Sequence, residues 1–237
     1  NQDYGFGHQV RKSAREGLAA KRPDVRIVGD ELHPIGRVKD FAPYVAKIAA
    51  SGADTIVTGN FGSDLVLLIR AAKDAGLNVK FYTYYANALG APTALGESGV
   101  GRTLLVTGMD LDRLDARMTW IHRRLKEKHP KLELFHAAYF DMLEMLAAAA
   151  AKAGSTEPLA VARALEGLTV QGAFGPVTMR ADDHQASAPL FVQTLSPVDG
   201  KTVKVGIEGT AFGFRTEASF TGLDTSLPHT CSMKRPS

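Results

Sequence analysis

DFAPYVAKIAASGADTIVTGNFGSDLVLLIRAAKDAGLNVKFY, residues 40–82, reads as helix, strand, helix, strand in one passage. Asp40 is a helix N-cap, and Phe41, Tyr44, Val45 and Ile48 follow at i, i+3, i+4 and i+7, on one face. Gly52 ends this helix. Thr55–Thr58 is a short β-branched run of the kind buried in a parallel sheet. The second helix places Leu65, Leu68, Ile69 and Ala72 on one face and ends at Gly76, and Val79–Tyr82 is the next strand. Alternation with connections of a few residues predicts an α/β layer over a parallel sheet.

Upstream, Val10, Ala14 and Leu18 predict a helix over Gly7–Ala20, stopped by Lys21-Arg22-Pro23, and then a short strand at Val25 and Ile27–Val28. Downstream, Thr103–Thr107 is a strand. After Gly108 the pattern becomes helical: Leu111–His129, the Ala-rich Leu134–Ala153, and Glu157–Glu166. Strands return at Gly175–Met179, Leu190–Leu195 and Thr202–Ile207, the last two joined as a hairpin through Pro197–Gly200. The tail from Arg215 reads as irregular. Tyr139, Phe140, Met142 and Met145 read as helix core. Three consecutive helices without strands lack a sheet to cover: either they bundle separately or their sheet lies in sequence outside this chain, and the abrupt start at Asn1 fits the second.

The totals exclude several classes. The 237 residues are 45% hydrophobic and 22% charged, an ordinary globular balance. The net charge of +3 is dispersed, and the densest basic cluster (His122, Arg123, Arg124, Lys126, Lys128, His129) is one solvated helix face, so no nucleic-acid partner is expected. A single cysteine, Cys231, excludes an internal disulfide framework and a cysteine-rich metal site. No run approaches the ~20 apolar residues of a membrane span. No signal peptide is visible, and because the chain opens in mid-motif this says nothing about export. Asp182-Asp183-His184 reads as a polar turn, so no metal is expected.

Gly59-Asn60-Phe61-Gly62, between a strand and a helix, suits an anionic group at a helix N-terminus. It is not G-x-G-x-x-G, and no Walker lysine follows. That loop and Asp64 carry one alternative, a Rossmann-like α/β enzyme acting on a small phosphorylated or nucleotide substrate. Against it, the chain shows no G-x-S-x-G elbow, no paired catalytic carboxylates and no nucleophile–base pair. A sensory ligand-binding domain is a third reading.

Several stretches together resemble the leucine/isoleucine/valine-binding protein family of type I periplasmic binding proteins. They are Asn1-Gln2-Asp3-Tyr4-Gly5-Phe6-Gly7, Asp40-Phe41-Ala42-Pro43-Tyr44 with Ser51-Gly52-Ala53-Asp54, Gly59–Gly62, Ala75-Gly76-Leu77, Gly172–Val177 and Asp183-His184-Gln185. The resemblance implies an α/β, two-lobed, parallel-sheet fold with an incomplete first lobe. Residues 1–107 would form the second lobe, 108–170 the helices returning to the first, and 171–237 the C-terminal strands and an irregular tail. It implies a solute-binding component of an ABC uptake system, periplasmic, without enzymatic activity or cofactor. Its partners would be a small amino-acid-like or aromatic/aliphatic carboxylate ligand and a membrane permease, with closure at a hinge near Gly108–Asp110.

By position, the resemblance places Phe6, Phe61, Tyr85 and His136 at ligand contacts, with Asn60 and Asn87 beside them. Tyr85 stands where the branched-chain amino-acid binders carry an acidic residue for the ligand's ammonium group. A buried ammonium needs a charge partner or a full set of acceptors. Asp64 and Asn87 are the nearby substitutes, and Tyr82, Tyr84 and Tyr85 with Phe6 and Phe61 would instead make an aromatic wall.

Overall fold

A computed structural model describes residues 1–134, 138–230 and 233–234. In chain order the elements are α1 (Gly5–Lys21), α2 (Ala42–Ser51), β1 (Thr55–Val57), α3 (Gly62–Asp74), β2 (Lys80–Thr83), α4 (Ala91–Leu95), β3 (Thr103–Thr107), α5 (Ala116–Lys128), α6 (Ala138–Ala153), α7 (Pro158–Leu165), β4 (Thr169–Gly172), β5 (Gly175–Met179), β6 (Ala186–Ser187), β7 (Leu190–Pro197) and β8 (Phe212–Phe220). They fall into two units. Unit 1 comprises Asn1–Val106 and Gln193–Arg215; unit 2 comprises Thr107–Val192 and Thr216–Ser237. The chain therefore passes between units three times, after Val106, Val192 and Arg215.

Unit 1 is built on a sheet of order β1-β2-β3-β7-β8, with β1–β2 and β2–β3 parallel and Ile56 opposite Phe81. The passage at residues 40–82 folds in the predicted order of elements, with two differences: Phe41 rather than Asp40 is the N-cap of α2, although Asp40 accepts from Ala42 N, and β1 is an edge strand whose Thr55 is exposed and whose Ile56 and Val57 are half-buried. Leu65, Leu68, Ile69 and Ala72 of α3 are all buried, as are Phe41 and Val45 beside α2 and Phe81 on β2. Each large apolar side chain taken from water in this way contributes about 1.5–3 kcal/mol. Gly52, at φ 70°, closes α2 in the left-handed conformation a terminating glycine supplies.

Two strands predicted from sequence are absent. Val25–Val28 forms no ladder, and Val25 and Ile27 are exposed. The chain here gains a parallel neighbour only from Glu31 onward, where the Asn1 amine donates to Glu31 O, His33 N to Asn1 O and Asp3 N to His33 O. Ion pairs hold it before that point: Arg11 and Arg15 of α1 both bind the Asp30 carboxylate, at 2.5 Å each. Thr202–Ile207 is not a strand either. Asp199 gathers the amides of Lys201, Thr202 and Val203 into a loop, Val203 and Ile207 bury themselves, and the partner run after β7 is β8. Residues 215–220, read as irregular tail, belong to β8.

The Arg11 and Arg15 guanidiniums hold the Asp30 carboxyl down at about 2, against its own partial desolvation. A carboxyl whose folded value lies below its unfolded value of 3.8 stabilises the fold above that value and loses its contribution as pH falls towards 2. The melting temperature is therefore expected to fall less steeply between pH 4 and pH 2 in Asp30→Asn than in the parent chain. Parallel curves over that range would remove the pair from the stability balance.

In unit 2, α5 begins at Ala116 rather than at Leu111. Asp115 accepts from Met118 N as N-cap, and the preceding turn at Leu111–Arg113 is separately capped by Asp110. Met118 packs with Met109, Leu134 and Ala173. The strand β4, missed in the sequence, pairs antiparallel with β5, and β5 with β6. This small sheet meets α6 through Met145 on Val177 and Met179, while Ala149 packs on Val161 and Ala164 of α7. The helices thus have a sheet of their own on one side. The opposite stripe of α6 (Tyr139, Met142, Leu143, Leu146) is exposed, so Tyr139 and Met142 are not core as predicted. Among the described residues, no helix is long and apolar enough to cross a membrane.

Candidate functional site

Three segments of unit 1 bring aromatic rings together. Tyr4 and Phe6 come from the start of α1, Phe61 from the start of α3, and Tyr84 and Tyr85 from the loop after β2. Four of the rings form a closed circuit: Tyr4–Phe6 at 6.3 Å between centroids, Phe6–Tyr85 at 5.6 Å, Tyr85–Phe61 at 5.8 Å and Phe61–Tyr4 at 6.3 Å. Tyr84 adds an edge contact to Phe6 at 5.9 Å. These separations, mostly edge-on, are the favourable arrangement for ring quadrupoles. All five rings are half-buried.

Tyr4 and Phe61 sit at the N-caps of α1 and α3, and neither helix has a side-chain cap. Ser, Thr, Asp and Asn are the residues that stabilise that position. Aromatic residues at N-caps give up local helix stability, and Phe41, buried in the core at the N-cap of α2, does the same. Tyr4 is the member missed in the sequence, because it occupies a position where a short polar side chain is the usual occupant. Tyr82, counted there as part of the wall, lies exposed on β2 and makes none of these ring contacts.

Beneath the rings lies a buried polar network. Asp64, in the first turn of α3, accepts from Gln2 Nε2 at 2.7 Å and from Gly36 N at 2.8 Å. His33 Nε2 lies 3.1 Å from Asn60 Oδ1, and His33 Nδ1 lies 3.9 Å from the Asp64 carboxylate. Asn1 Oδ1 accepts from Gly59 N at 2.7 Å, tying the first segment to the end of β1. Asp64 is 1% exposed and makes both hydrogen bonds through Oδ2, while its buried Oδ1 has no hydrogen-bond partner among the described residues, so the carboxylate weighed as a substitute partner for an ammonium group is half satisfied and closed off from solvent. His33, given no role from sequence, joins the loop at Pro34–Gly36 to the Asn60 loop.

Of the predicted contacts, Phe6, Phe61 and Tyr85 come together in the circuit. Asn60 and Asn87 are buried, and the Asn87 Oδ1 atom has no hydrogen-bond partner among the described residues. His136 lies outside the described residues. Burial raises the Tyr4 phenol above its ordinary value, with Tyr85 adding to the shift, and burial alone raises Tyr84. Both phenols are therefore neutral at physiological pH and can donate a hydrogen bond. Asp3 is exposed and paired with His8 at 2.8 Å. Among the described residues, no group of three His, Cys, Asp or Glu side chains is arranged to hold a metal ion.

The surface this builds is apolar and aromatic, with phenol hydroxyls among its rings. It suits a small, flat or branched solute and offers no nucleophile beside a base.

Comparison with known proteins gives the family and the fold. A family model described as periplasmic binding protein matches residues 1–201. The Leu/Ile/Val-binding protein homolog 4 of Brucella abortus is 32% identical over 249 residues, covering 100% of this chain and 57% of that protein. The chain thus spans somewhat over half the length of the curated relatives it matches. The crystal structure of a leucine-, isoleucine-, valine-, threonine- and alanine-binding protein from Brucella ovis, in a closed conformation, superposes with a TM-score of 0.89 at 30% identity, over 100% of this chain and 60% of that one. A solute-binding protein of an ABC transporter from Rhodopseudomonas palustris, in complex with p-hydroxybenzoic acid, shares the fold with a TM-score of 0.74 at 19% identity, over 93% of this chain and 59% of that one.

Proposed function

The chain belongs to the periplasmic binding protein family, with the type I fold of that family, and from this membership we propose that it is the solute-binding component of an ABC uptake system. The matched relatives are solute-binding proteins and not enzymes, which sets aside the Rossmann-like enzyme reading. Its proposed ligand is a small aromatic or aliphatic carboxylate, or an amino-acid-like solute, bound on the ring circuit of unit 1. The proposed partner is a membrane permease, and the proposed location is the periplasm after removal of an upstream signal peptide. In lobe terms, residues 1–107 are proposed as the second lobe, 108–170 as the helices returning to the first and 171–237 as the closing strands and tail, with the hinge at Gly108–Asp110.

The observation that carries the ligand class is the wall itself. Rings on three segments contribute desolvation energy, two neutral phenols supply donors, and α1 and α3 start at the wall without side-chain caps, where an anionic group is favoured. Asp64, the nearby acidic side chain, is bonded through Oδ2 to Gln2 and Gly36, and its remaining oxygen is buried away from the surface. An aromatic or aliphatic acid is therefore favoured over a free α-amino acid.

The test is thermal stabilisation of the chain across benzoate, 4-hydroxybenzoate, short aliphatic acids, L-leucine and a nucleotide. Ligand at about 100 times Kd stabilises by roughly 2.7 kcal/mol. The expected ranking is aromatic acids first and the nucleotide without effect. Stabilisation by L-leucine alone would reverse the preference, and by the nucleotide alone would overturn the function.

A further inference from the structure

The ring circuit closes through Tyr85, which sits on the loop between β2 and α4. That loop ends on two successive residues in the left-handed region, Leu89 at φ 57° and Gly90 at φ 77°. Glycine adopts this conformation without cost, whereas leucine does not. Something must hold the turn. Helix α4 supplies no side-chain cap of its own, and Pro92 in its first turn has no N–H to offer.

The hold comes from 118 residues away. Glu208 Oε1 accepts from Gly90 N at 2.8 Å, and Glu208 Oε2 accepts from Thr93 N at 3.2 Å and from Thr93 Oγ1 at 2.7 Å. Glu208 is itself left-handed, at φ 54°. Of the three non-glycine residues with positive φ among those described, two therefore meet at this junction. Backbone strain of this kind persists only where the surroundings over-determine it. The arm that presents Glu208 is anchored by buried Val203 and Ile207, and by Thr210, whose hydroxyl donates to Ile207 O at 2.8 Å.

We propose that Glu208 is a positioning residue for the ligand site: by fixing Gly90 and the start of α4 it holds Tyr85 in register with Phe6 and Phe61. This rests on the reading of the ring circuit as the ligand surface. A cap that only stabilised α4 would matter to unfolding and not to the ligand. A positioning residue matters to both the rings and the ligand at temperatures where the chain is fully folded.

The experiment compares the parent chain with Glu208→Ala, Glu208→Gln and Phe6→Ala. Affinity for 4-hydroxybenzoate and L-leucine is measured by calorimetry at 15 °C, alongside the near-ultraviolet circular dichroism of the tyrosines and the melting temperature. Glu208→Ala is expected to weaken binding roughly tenfold, the scale of one lost charge-assisted hydrogen bond, and to reduce the tyrosine band. Glu208→Gln keeps one acceptor and is expected to fall between. A lower melting temperature with unchanged affinity and unchanged tyrosine signal at 15 °C would overturn the proposal. If Phe6→Ala leaves both affinities intact, or neither probe binds the parent, the ligand reading is what fails. The tyrosine band of Glu208→Ala then decides the positioning role alone, and an unchanged band overturns it.

Discussion

Phe6→Ala is expected to lower ligand affinity by about 100-fold, the scale of an aromatic anchor lost from a binding site. Phe6 meets three other rings of the wall, so its removal opens the circuit on both sides as well as deleting its own contact surface. It packs against Gly59, where an added Cβ would come within 3.1 Å of the Phe6 ring. The two motifs that start the helices α1 and α3 thus meet at this ring. Stability should suffer less, by about 1–2 kcal/mol, because the ring is only half-buried in the free protein. Calorimetric titration of the folded variant measures the first effect and thermal unfolding the second. Unchanged affinity would remove Phe6 from the site. Tyr85→Ala should weaken binding in the same direction, since Tyr85 closes the circuit from the opposite segment.

The largest expected loss of stability comes from Gly7→Ala. Helix propensity alone predicts the reverse, since alanine is favoured over glycine in a helix interior by about 1 kcal/mol. At Gly7, however, a Cβ would lie 1.9 Å from the carbonyl oxygen of Gln2, a backbone atom that no rotamer change can move aside. That same stretch carries Gln2, whose side chain reaches Asp64. Accommodating the methyl must shift the Asn1–Tyr4 segment and with it the polar network under the wall. We expect a cost of roughly 3 kcal/mol, or a fall in melting temperature of about 6–12 °C. Gly17→Ala in the same helix meets nothing within 4 Å and should stabilise by the ordinary propensity difference, up to about 1 kcal/mol. Equal effects at the two positions, read by thermal unfolding, would refute the steric account.

The readable parts of this molecule were those where local pattern and tertiary burial agree. Residues 40–82 show it, because the face of α3 chosen by 3.6-residue periodicity is the face that is buried. The failures have two causes: a deciding neighbour that is remote, or a local side-chain hydrogen bond that overrides composition. Val25–Val28 has strand composition, yet its ladder needs a partner that appears only opposite Glu31–His33. The loop at residues 198–211 has hairpin composition, yet Asp199 captures its amides first. At the site, Phe6, Phe61 and Tyr85 were legible through the ordered motifs of the resemblance. Tyr4 was hidden because it occupies an N-cap, where propensity looks for a short polar side chain. Gln2, His33 and Glu208 act through contacts spanning dozens of residues or more, which no spacing rule detects.

Unit 1 is made from two pieces of chain, with residues 107–192 between them. A chain delivered from its N-terminus, whether from a ribosome or through a membrane, presents β3 first and β7 only at the end of that interval. Until then one edge of the growing sheet stands open, since β7 is the neighbour that covers β3. An open edge is a template for association with another chain. The half-delivered polypeptide is therefore in a state that a holding chaperone can recognise and that crowding can punish, until the second piece arrives to close the edge.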